Sequence, residues 1–127
     1  MNQGIAVKAV IENNDGEILV MKRSGISAHS SNEWDIPGGR IDPGEDPFTA
    51  LERECMEEVG MEVKIGKPLG VNYFTRDDGQ IIIMIIFVCN AQDQKVVLSE
   101  EHSEYQWIER ERVGEYLRIE LREHICL

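Results

Sequence analysis

Apolar and other residues alternate from Ile5 to Ile11, as they do in a half-buried β-strand. A second apolar stretch, Ile18 to Met21, follows shortly afterwards and predicts a returning strand. Asn14-Asp15-Gly16 lies between the two and favours a tight turn, because an Asp-Gly pair adopts positive φ angles at little cost. The chain is therefore predicted to begin with a β-hairpin.

The longest apolar stretch runs from Ile81 to Val88, and most of its eight residues are β-branched. It is too short for a membrane helix, which needs about 20 residues. We predict instead a central strand that is buried on both faces. Shorter extended segments are expected at Trp34 to Ile36, from Met61 to Phe74 with interruptions, and at Tyr105 to Ile108.

Residues 46 to 60 carry the boundary signals of a helix. Asp46 is a good N-cap, Pro47 suits the first helical position, and Gly60 suits the position just after the last turn. One apolar stripe lies between these boundaries and consists of Phe48, Leu51, Cys55 and Val59. The segment therefore predicts a helix with one buried face.

The end of the chain shows a second helical pattern. Residues at a spacing of four predict an amphipathic helix from Glu109 to about Ile125. Its apolar positions are Val113, Leu117, Leu121 and Ile125. Since we find no internal repeat and no linker, residues 1–127 predict a single mixed α/β domain.

The charges are unbalanced, with 24 Asp and Glu against 13 Lys and Arg, a formal net charge of −11. Such a surface repels phosphate backbones, so no nucleic-acid polymer is expected as a partner. It attracts divalent cations and is compatible with a metal-using enzyme. Three cysteines without Cys-x-x-Cys spacing suit a reducing cytosol. The first residues lack the pattern of a signal peptide, so we expect a cytoplasmic protein without membrane association.

Three glutamates share one side of the helix predicted at 46–60. At about 100° per residue, Glu54, Glu57 and Glu58 fall within an arc of about 100°, which Arg53 borders. Like charges four residues apart destabilise a helix, and the C-terminal end of a helix disfavours anions. The arc is either a solvated acidic face or a site for Mg²⁺, which binds carboxylate oxygens. Gly38-Gly39 favours the second interpretation, because glycine lets a backbone carbonyl approach the same ion.

The spacing of these residues has a well-defined form: Gly39, five residues, Glu45, seven residues, then Arg53-Glu54. It resembles the signature of the Nudix hydrolase family, GX5EX7REUXEEXGU, in which U is a bulky aliphatic residue. The seven fixed positions all match, at Gly39, Glu45, Arg53, Glu54, Glu57, Glu58 and Gly60. The two U positions hold Cys55 and Met61, so core packing there is expected to differ slightly.

The resemblance implies a Nudix-like α/β/α sandwich with a mixed sheet, a catalytic loop and helix, and a C-terminal helix. It also implies a cofactor, Mg²⁺ or Mn²⁺, and a role for each matching residue. Glu57 and Glu58 would be the principal metal ligands, aided by Glu54 and the Gly38 carbonyl. Arg53 would orient the glutamates, and Glu45, Gly39 and Gly60 would shape the loop. The glutamates titrate as a set, so no single one is assigned as the general base.

Other candidate site residues lie outside the signature. In this family a further acid often comes from a separate loop, and Glu104 or Glu101 would supply it here unless both belong to a solvated turn. Arg23 and Trp34 are candidate substrate-binding residues, although Trp34 suits core packing equally well. His29, in the polar segment 24–33, is either a substrate contact or an exposed loop residue.

The function implied by the resemblance is hydrolysis of a nucleoside diphosphate linked to another group. The small size of the chain favours a (deoxy)nucleoside triphosphate or an oxidised nucleotide as the substrate. A nucleotide sugar or another nucleoside diphosphate derivative is the alternative, and a module that senses nucleotides without turnover is a further one. The expected partner is a small nucleotide, and a homodimer is compatible with the sequence.

Overall fold

The computed structural model describes residues 3–25 and 32–125 of the chain. His29 and Cys126 lie outside these residues. The elements, in chain order, are β1 (Gln3–Glu12), β2 (Ile18–Arg23), β3 (Trp34–Asp35), β4 (Gly38–Arg40), α1 (Pro47–Val59), β5 (Val63–Thr75), β6 (Ile81–Ala91), β7 (His102–Ile108), a 3-10 helix (Arg110–Glu115) and α2 (Ile119–Arg122).

All seven strands belong to one mixed sheet, in which β1 is central. The order is β3-β2-β1-β6-β5, with β4 paired to β1 and β7 paired to β2. β1 pairs with β6 in parallel over its whole length, whereas its backbone pairing with β2 is limited to Glu12 opposite Ile18. β4 pairs with β1 at Ala6–Lys8, which brings the Gly38–Arg40 segment to the middle of the sheet.

Helical layers cover the two faces of the sheet and separate two apolar clusters. On one face, α1 buries Ala50, Leu51, Cys55 and Val59 against β1, β2 and β6. On the other face, Val113, Leu117, Leu121 and Ile125 pack against Val10, Val20, Met84 and Ile86. The predicted mixed α/β sandwich is therefore confirmed.

The boundaries predicted for α1 are also confirmed. Asp46 Oδ1 accepts hydrogen bonds from the Phe48 and Thr49 amides, at 2.9 Å each. Gly60 follows the last turn with a φ of 67°, in the left-handed region. Phe48 differs from expectation, since it remains 52% exposed although its ring packs against Phe87.

The C-terminal segment is not the continuous helix that its spacing predicts. The 3-10 helix ends at Glu115, and α2 begins only at Ile119, because Arg118 has an extended backbone with a ψ of 163°. Gly114 weakens any longer helix at this point. Each short helical segment still turns its own apolar residues onto the sheet, so the predicted buried positions are correct while the predicted continuity is wrong.

Two strand predictions also need correction. β6 is not buried on both faces along its whole length. Ile82, Met84 and Ile86 are buried, whereas Ile81, Ile83 and Ile85, on the face towards α1, are only half-buried. The layer that contains α1 covers this end of the strand incompletely. Gly38–Arg40, expected to be part of a loop, forms a short strand because its backbone pairs with β1. Neither change affects the order of the predicted elements.

The helices of residues 3–25 and 32–125 are short. α1, at 13 residues, is the longest of them. In this part of the chain no helix is long and apolar enough to span a membrane.

Gly60 gives a test of how the end of α1 is fixed. Its φ of 67° disfavours a side chain, and an added Cβ would lie 3.1 Å from Val97 Cβ. We expect Gly60→Ala to lower the free energy of unfolding by about 1 kcal/mol or more, measured by denaturant titration. Gly114→Ala is the control, since nothing lies within 4 Å of the added Cβ and its φ is not in the left-handed region. Equal stabilities of Gly60→Ala and the wild-type protein would contradict this account.

Candidate active site

Arg53 joins α1 to the loop before it through a two-point ion pair. Its Nε donates to Glu45 Oε2 at 2.8 Å, and its Nη2 donates to Glu45 Oε1 at 2.9 Å. The paired guanidinium lowers the pKa of Glu45 to about 2. Because the fork engages both carboxylate oxygens, it fixes the orientation of the loop and not only its distance from the helix.

The remaining donors of Arg53 hold two other glutamates of α1. Nη1 donates to Glu54 Oε1 at 3.0 Å and lies 3.3 Å from Glu57 Oε2. Nη2 also donates to the Arg40 carbonyl, at 3.3 Å. One guanidinium therefore connects the loop, β4 and two carboxylates of the acidic arc.

Glu58 is held separately, by the backbone of β4. The Gly38 amide donates to Glu58 Oε1 at 2.8 Å. Burial raises the pKa of Glu58 to about 7, although the positive charge of Lys8 and the bond from Gly38 oppose the shift. Burial likewise raises the pKa of Glu54, against the hydrogen bond from Arg53. Burial thus disfavours the charged form of two of the three glutamates, and the neighbouring cations only partly oppose this effect.

Gly38 and Gly39 lie too close to their neighbours for any side chain. A Cβ at Gly38, where φ is 149°, would lie 2.0 Å from the Val7 carbonyl oxygen. A Cβ at Gly39 would lie 2.7 Å from the carboxylate carbon of Glu54. The two glycines therefore allow the backbone of β4 to pass between β1 and the glutamates of α1.

The donor set suits a hard divalent cation in its chemistry, since it consists of carboxylates and a nearby backbone carbonyl. In residues 3–25 and 32–125, however, no three Asp, Glu, His or Cys side chains converge as metal ligands do. The reason is local: Arg53 holds Glu54 and Glu57, while the Gly38 amide holds Glu58. The chemistry of these carboxylates fits such an ion, while each of them is engaged in a hydrogen bond within the protein.

A cavity of about 150 Å³ opens beside Gly38 and Gly39. Its basic lining residues are Lys8, Arg23, Arg40, Arg76 and Arg118. Phe74, Ile82 and Met84 supply apolar walls, and Asp35 is the acidic residue that lines it. In a chain with a net charge of −11, this cluster of cations marks a place for an anionic ligand.

The structure brings most of the predicted site residues together, but not all of them. Arg23 lines the cavity and forms an ion pair with Asp35 at 3.4 Å. Trp34 packs partly against the core, with its ring edge-on to Tyr116 at 5.1 Å, and it also lines a second cavity of about 430 Å³, so its role as a substrate contact stays a prediction. Glu104 lies on β7 opposite Lys22, with which it makes an ion pair at 4.0 Å, and Glu101 is exposed in the preceding turn.

The sequence interpretation missed four basic residues of the cavity. They are Lys8, Arg40, Arg76 and Arg118, from β1, β4, the turn after β5 and the segment before α2. No motif links these positions. The one local signal was for Lys8, because the alternation of β1 places this charged residue on the same strand face as Ala6 and Val10.

Comparisons with known proteins agree with this geometry. A family model described as NUDIX domain matches residues 2–125. The nucleoside triphosphatase NudI of Enterobacter sp. (strain 638) is 33% identical over 124 residues, which cover 90% of this chain and 87% of that protein. A MutT protein crystal structure from Methanosarcina mazei Go1 has a TM-score of 0.89 and 32% identity, covering 98% of this chain and 91% of that one.

A C. elegans Ap4A hydrolase in a binary complex, 23% identical, covers 96% of this chain and 92% of its own, and with a TM-score of 0.82 it shares the fold. The family match over residues 2–125 extends over both helical layers and the whole sheet, and it includes the loop and helix that carry the acidic site. The chain belongs to the NUDIX family, as a hydrolase that acts on pyrophosphate bonds.

Proposed function

We propose that this chain uses Mg²⁺ or Mn²⁺ to hydrolyse nucleoside triphosphates, oxidised ones included, to a nucleoside monophosphate and pyrophosphate. The observation that carries the proposal is the contact between two oppositely charged regions at Gly38-Gly39. The acidic arc of α1 lies on one side of these glycines, and the basic cavity lies beside them. The similarity to the triphosphatase NudI supports the same substrate class.

Glu57 and Glu58 are the proposed principal ligands of the metal ion, with Glu54 and the Gly38 carbonyl completing the protein's share. When bound, a divalent ion neutralises phosphate charge and makes a coordinated water a better nucleophile. Arg53 and Glu45 position the glutamates through their two-point ion pair. Gly39 and Gly60 give the loop and the helix end the space that they need.

The charge of the cavity favours a triphosphate over a substrate with fewer phosphates. Five basic side chains line it, of which Lys8 and Arg23 pair with Asp35, the acidic residue of the lining. A nucleoside triphosphate carries more negative charge than a nucleotide sugar, so it gains more from this surplus of cations. Arg23 is therefore a proposed substrate contact, and Trp34, which lines a neighbouring cavity with Arg118, remains a second candidate.

In the proposed reaction, a water oxygen forms a bond to one phosphorus atom and the bridging anhydride P–O bond breaks. The leaving phosphate takes the electron pair of that bond, and a carboxylate of the site accepts the proton of the water. Glu104 on β7 is a proposed additional acid, which Glu104→Gln tests by its effect on turnover.

A substrate panel tests the proposal directly. The wild-type protein is incubated with nucleoside triphosphates, dinucleoside polyphosphates and nucleotide sugars in ¹⁸O-water, with Mg²⁺ or Mn²⁺, and the products are identified by mass. We expect monophosphate and pyrophosphate from triphosphates, with one ¹⁸O in one of the two products. Preferred cleavage of nucleotide sugars would overturn the substrate class, and no cleavage of any compound would favour a nucleotide-sensing module.

Substitution of the proposed ligands gives a second test. Glu57→Gln and Glu58→Gln keep the side-chain volume but remove a charged ligand, so we expect turnover to fall by a factor of about 100 or more. Glu52→Gln is the matched control, because Glu52 is an exposed glutamate on the same helix. Wild-type turnover in both Glu57→Gln and Glu58→Gln would refute the assignment of the site.

The role of the Arg53 fork is tested by Arg53→Lys. Lysine keeps the charge but cannot bond both oxygens of Glu45 and also reach Glu54. We expect a tenfold or greater loss of metal affinity, measured by calorimetry, together with lower turnover. Arg112→Lys is the control, since Arg112 makes a similar fork to Glu115 on the exposed surface. Unchanged metal affinity in Arg53→Lys would exclude a positioning role.

The buried carboxylate of Glu58 predicts a pH effect on the stability of the metal-free protein. Because the pKa of Glu58 is raised to about 7, the folded state binds the proton more tightly than the unfolded state. Its ionisation therefore costs stability increasingly between about pH 4.5 and pH 7, and the cost stays constant above that range. In EDTA, Glu58→Gln should be more stable than the wild-type protein at pH 8, by on the order of 2 kcal/mol, with no advantage at pH 4. Equal stabilities at pH 8 in denaturant titrations would contradict this expectation.

A further inference from the structure

Lys8 is a charged residue within an apolar part of the sheet. It is 6% exposed and lies in β1 between Ala6 and Val10, which are also buried. Burying an ammonium group is costly, and buried ion pairs can often be replaced by apolar residues without loss of stability. Fold stability alone therefore does not account for a lysine at this position.

Within the described residues, the hydrogen bonds of the Lys8 ammonium go to the segment that leads into Gly38. Nζ donates to both carboxylate oxygens of Asp35, at 3.2 Å each, and to the Ile36 carbonyl, also at 3.2 Å. The three contacts match the three hydrogens of an ammonium group. Lys8 is therefore committed to the protein and is not offered to a substrate in the cavity.

The stem of Lys8 also supports Gly38 itself. Lys8 lies opposite Gly38 in the β1–β4 pairing, and a Cβ added at Gly38 would come within 2.9 Å of Lys8 Cδ. On its other side, Gly38 donates its amide to Glu58. Lys8 and Glu58 thus hold the same short backbone segment from β1 and from α1.

Charge acts in the same direction as these contacts. Burial is the largest influence on the pKa of Glu58 and raises it, and Lys8 is the strongest opposing influence. Burial also raises the pKa of Glu54, and the Lys8 charge is one of the weaker influences that oppose this rise. In turn, burial alone would raise the pKa of Asp35, but the charges of Lys8, Arg118 and Arg23 outweigh it and lower the pKa. Lys8 is thus paired with an ionised carboxylate and lies near two others.

We propose that Lys8 and Asp35 are positioning residues whose ion pair holds residues 36–38 in place, so that the Gly38 carbonyl and Glu58 are presented to one divalent cation. Neither residue contacts the ion or the substrate. This inference rests on the metal site proposed above. It adds to that proposal a supporting pair which lies outside the glycine, arginine and glutamate positions of the signature.

The test separates positioning from stability by removing both charges together. Lys8→Met alone leaves Asp35 buried without its main partner and should lower the denaturant midpoint. Lys8→Met/Asp35→Asn leaves no such charge and should restore most of the midpoint, while the bonds to Ile36 and the restraint on Gly38 stay lost. Lys64→Met, at an exposed position of β5, is the control.

Two readouts on the metal-free protein decide the matter. In the double variant, Mn²⁺ affinity measured by calorimetry should be at least about tenfold weaker than in the wild-type protein. The Gly38 amide should exchange with solvent at least about tenfold faster, while the Ala50 amide in α1 is unchanged. Wild-type Mn²⁺ affinity in a double variant of restored stability would overturn the proposal.

Asp35→Asn alone is a milder second variant, should the double variant fold poorly. It keeps Lys8 and the bond to Ile36, so its Mn²⁺ affinity should lie between those of Lys8→Met and the wild-type protein. An affinity equal to the wild type in Asp35→Asn would count against the pair. If Glu58→Gln leaves Mn²⁺ binding intact, the proposed metal site itself is wrong. If Glu58→Gln weakens Mn²⁺ binding but the Lys8 and Asp35 variants bind Mn²⁺ as the wild-type protein does, only the present inference fails.

Discussion

The site depends on how closely the backbone at Gly38 and Gly39 approaches the elements on either side. A Cβ at the first glycine would overlap the Val7 carbonyl of β1, and a Cβ at the second would overlap the carboxylate of Glu54 on α1. The strand can pass between sheet and helix only as bare backbone. That passage gives Glu58 its amide partner and places the basic cavity beside the acidic arc.

This close approach has an electrostatic cost, because it brings like charges together out of water. Two fixed cationic side chains, Arg53 and Lys8, offset part of this cost. Arg53 spans Glu45, Glu54 and Glu57 at the solvent side, and Lys8 with its partner Asp35 lies beneath the strand. These cations do not offset the whole cost of burying the carboxylates, since the pKa of Glu58 remains raised. Neutral residues would avoid this cost, and a cation bound at the proposed metal site would offset part of it.

Local features of the sequence were sufficient to predict the acidic half of the site and its scaffold. The limits of α1, its buried stripe and the arc of glutamates all follow from helical periodicity and from end signals such as Asp46 and Gly60. The basic half could not be predicted in the same way. Arg40, Arg76 and Arg118 become neighbours only through the pairing of β1 with β4 and β6 and through the return of the C-terminal segment. Their proximity is a property of topology, not of spacing along the chain.

The same distinction explains the errors. The C-terminal stripe predicted the buried residues correctly, because burial is decided by contact with the sheet, but a spacing of four does not require a continuous helix. Trp34 was open to two interpretations because an aromatic residue beside a strand suits stacking on a base and packing in a core equally well. Its ring packs edge-on against Tyr116, 82 positions further along the chain, and it also lines a cavity, so the folded chain accommodates both interpretations.

Hydrogen bonds within the protein hold each carboxylate of the acidic arc in place. Arg53 draws Glu54 and Glu57 towards the loop, while the Gly38 amide draws Glu58 towards β4. These bonds reduce repulsion by keeping the carboxylates apart, and so they prevent a ready-made set of ligands from forming. At the proposed metal site, a bound cation would exchange these hydrogen bonds for coordination, and its affinity would reflect the difference between the two. The backbone that carries Gly38 does not take part in this exchange, because it is fixed by β1 below and α1 above. At the proposed metal site, the carboxylates would therefore have to leave these partners while the backbone at Gly38 keeps its place between β1 and α1.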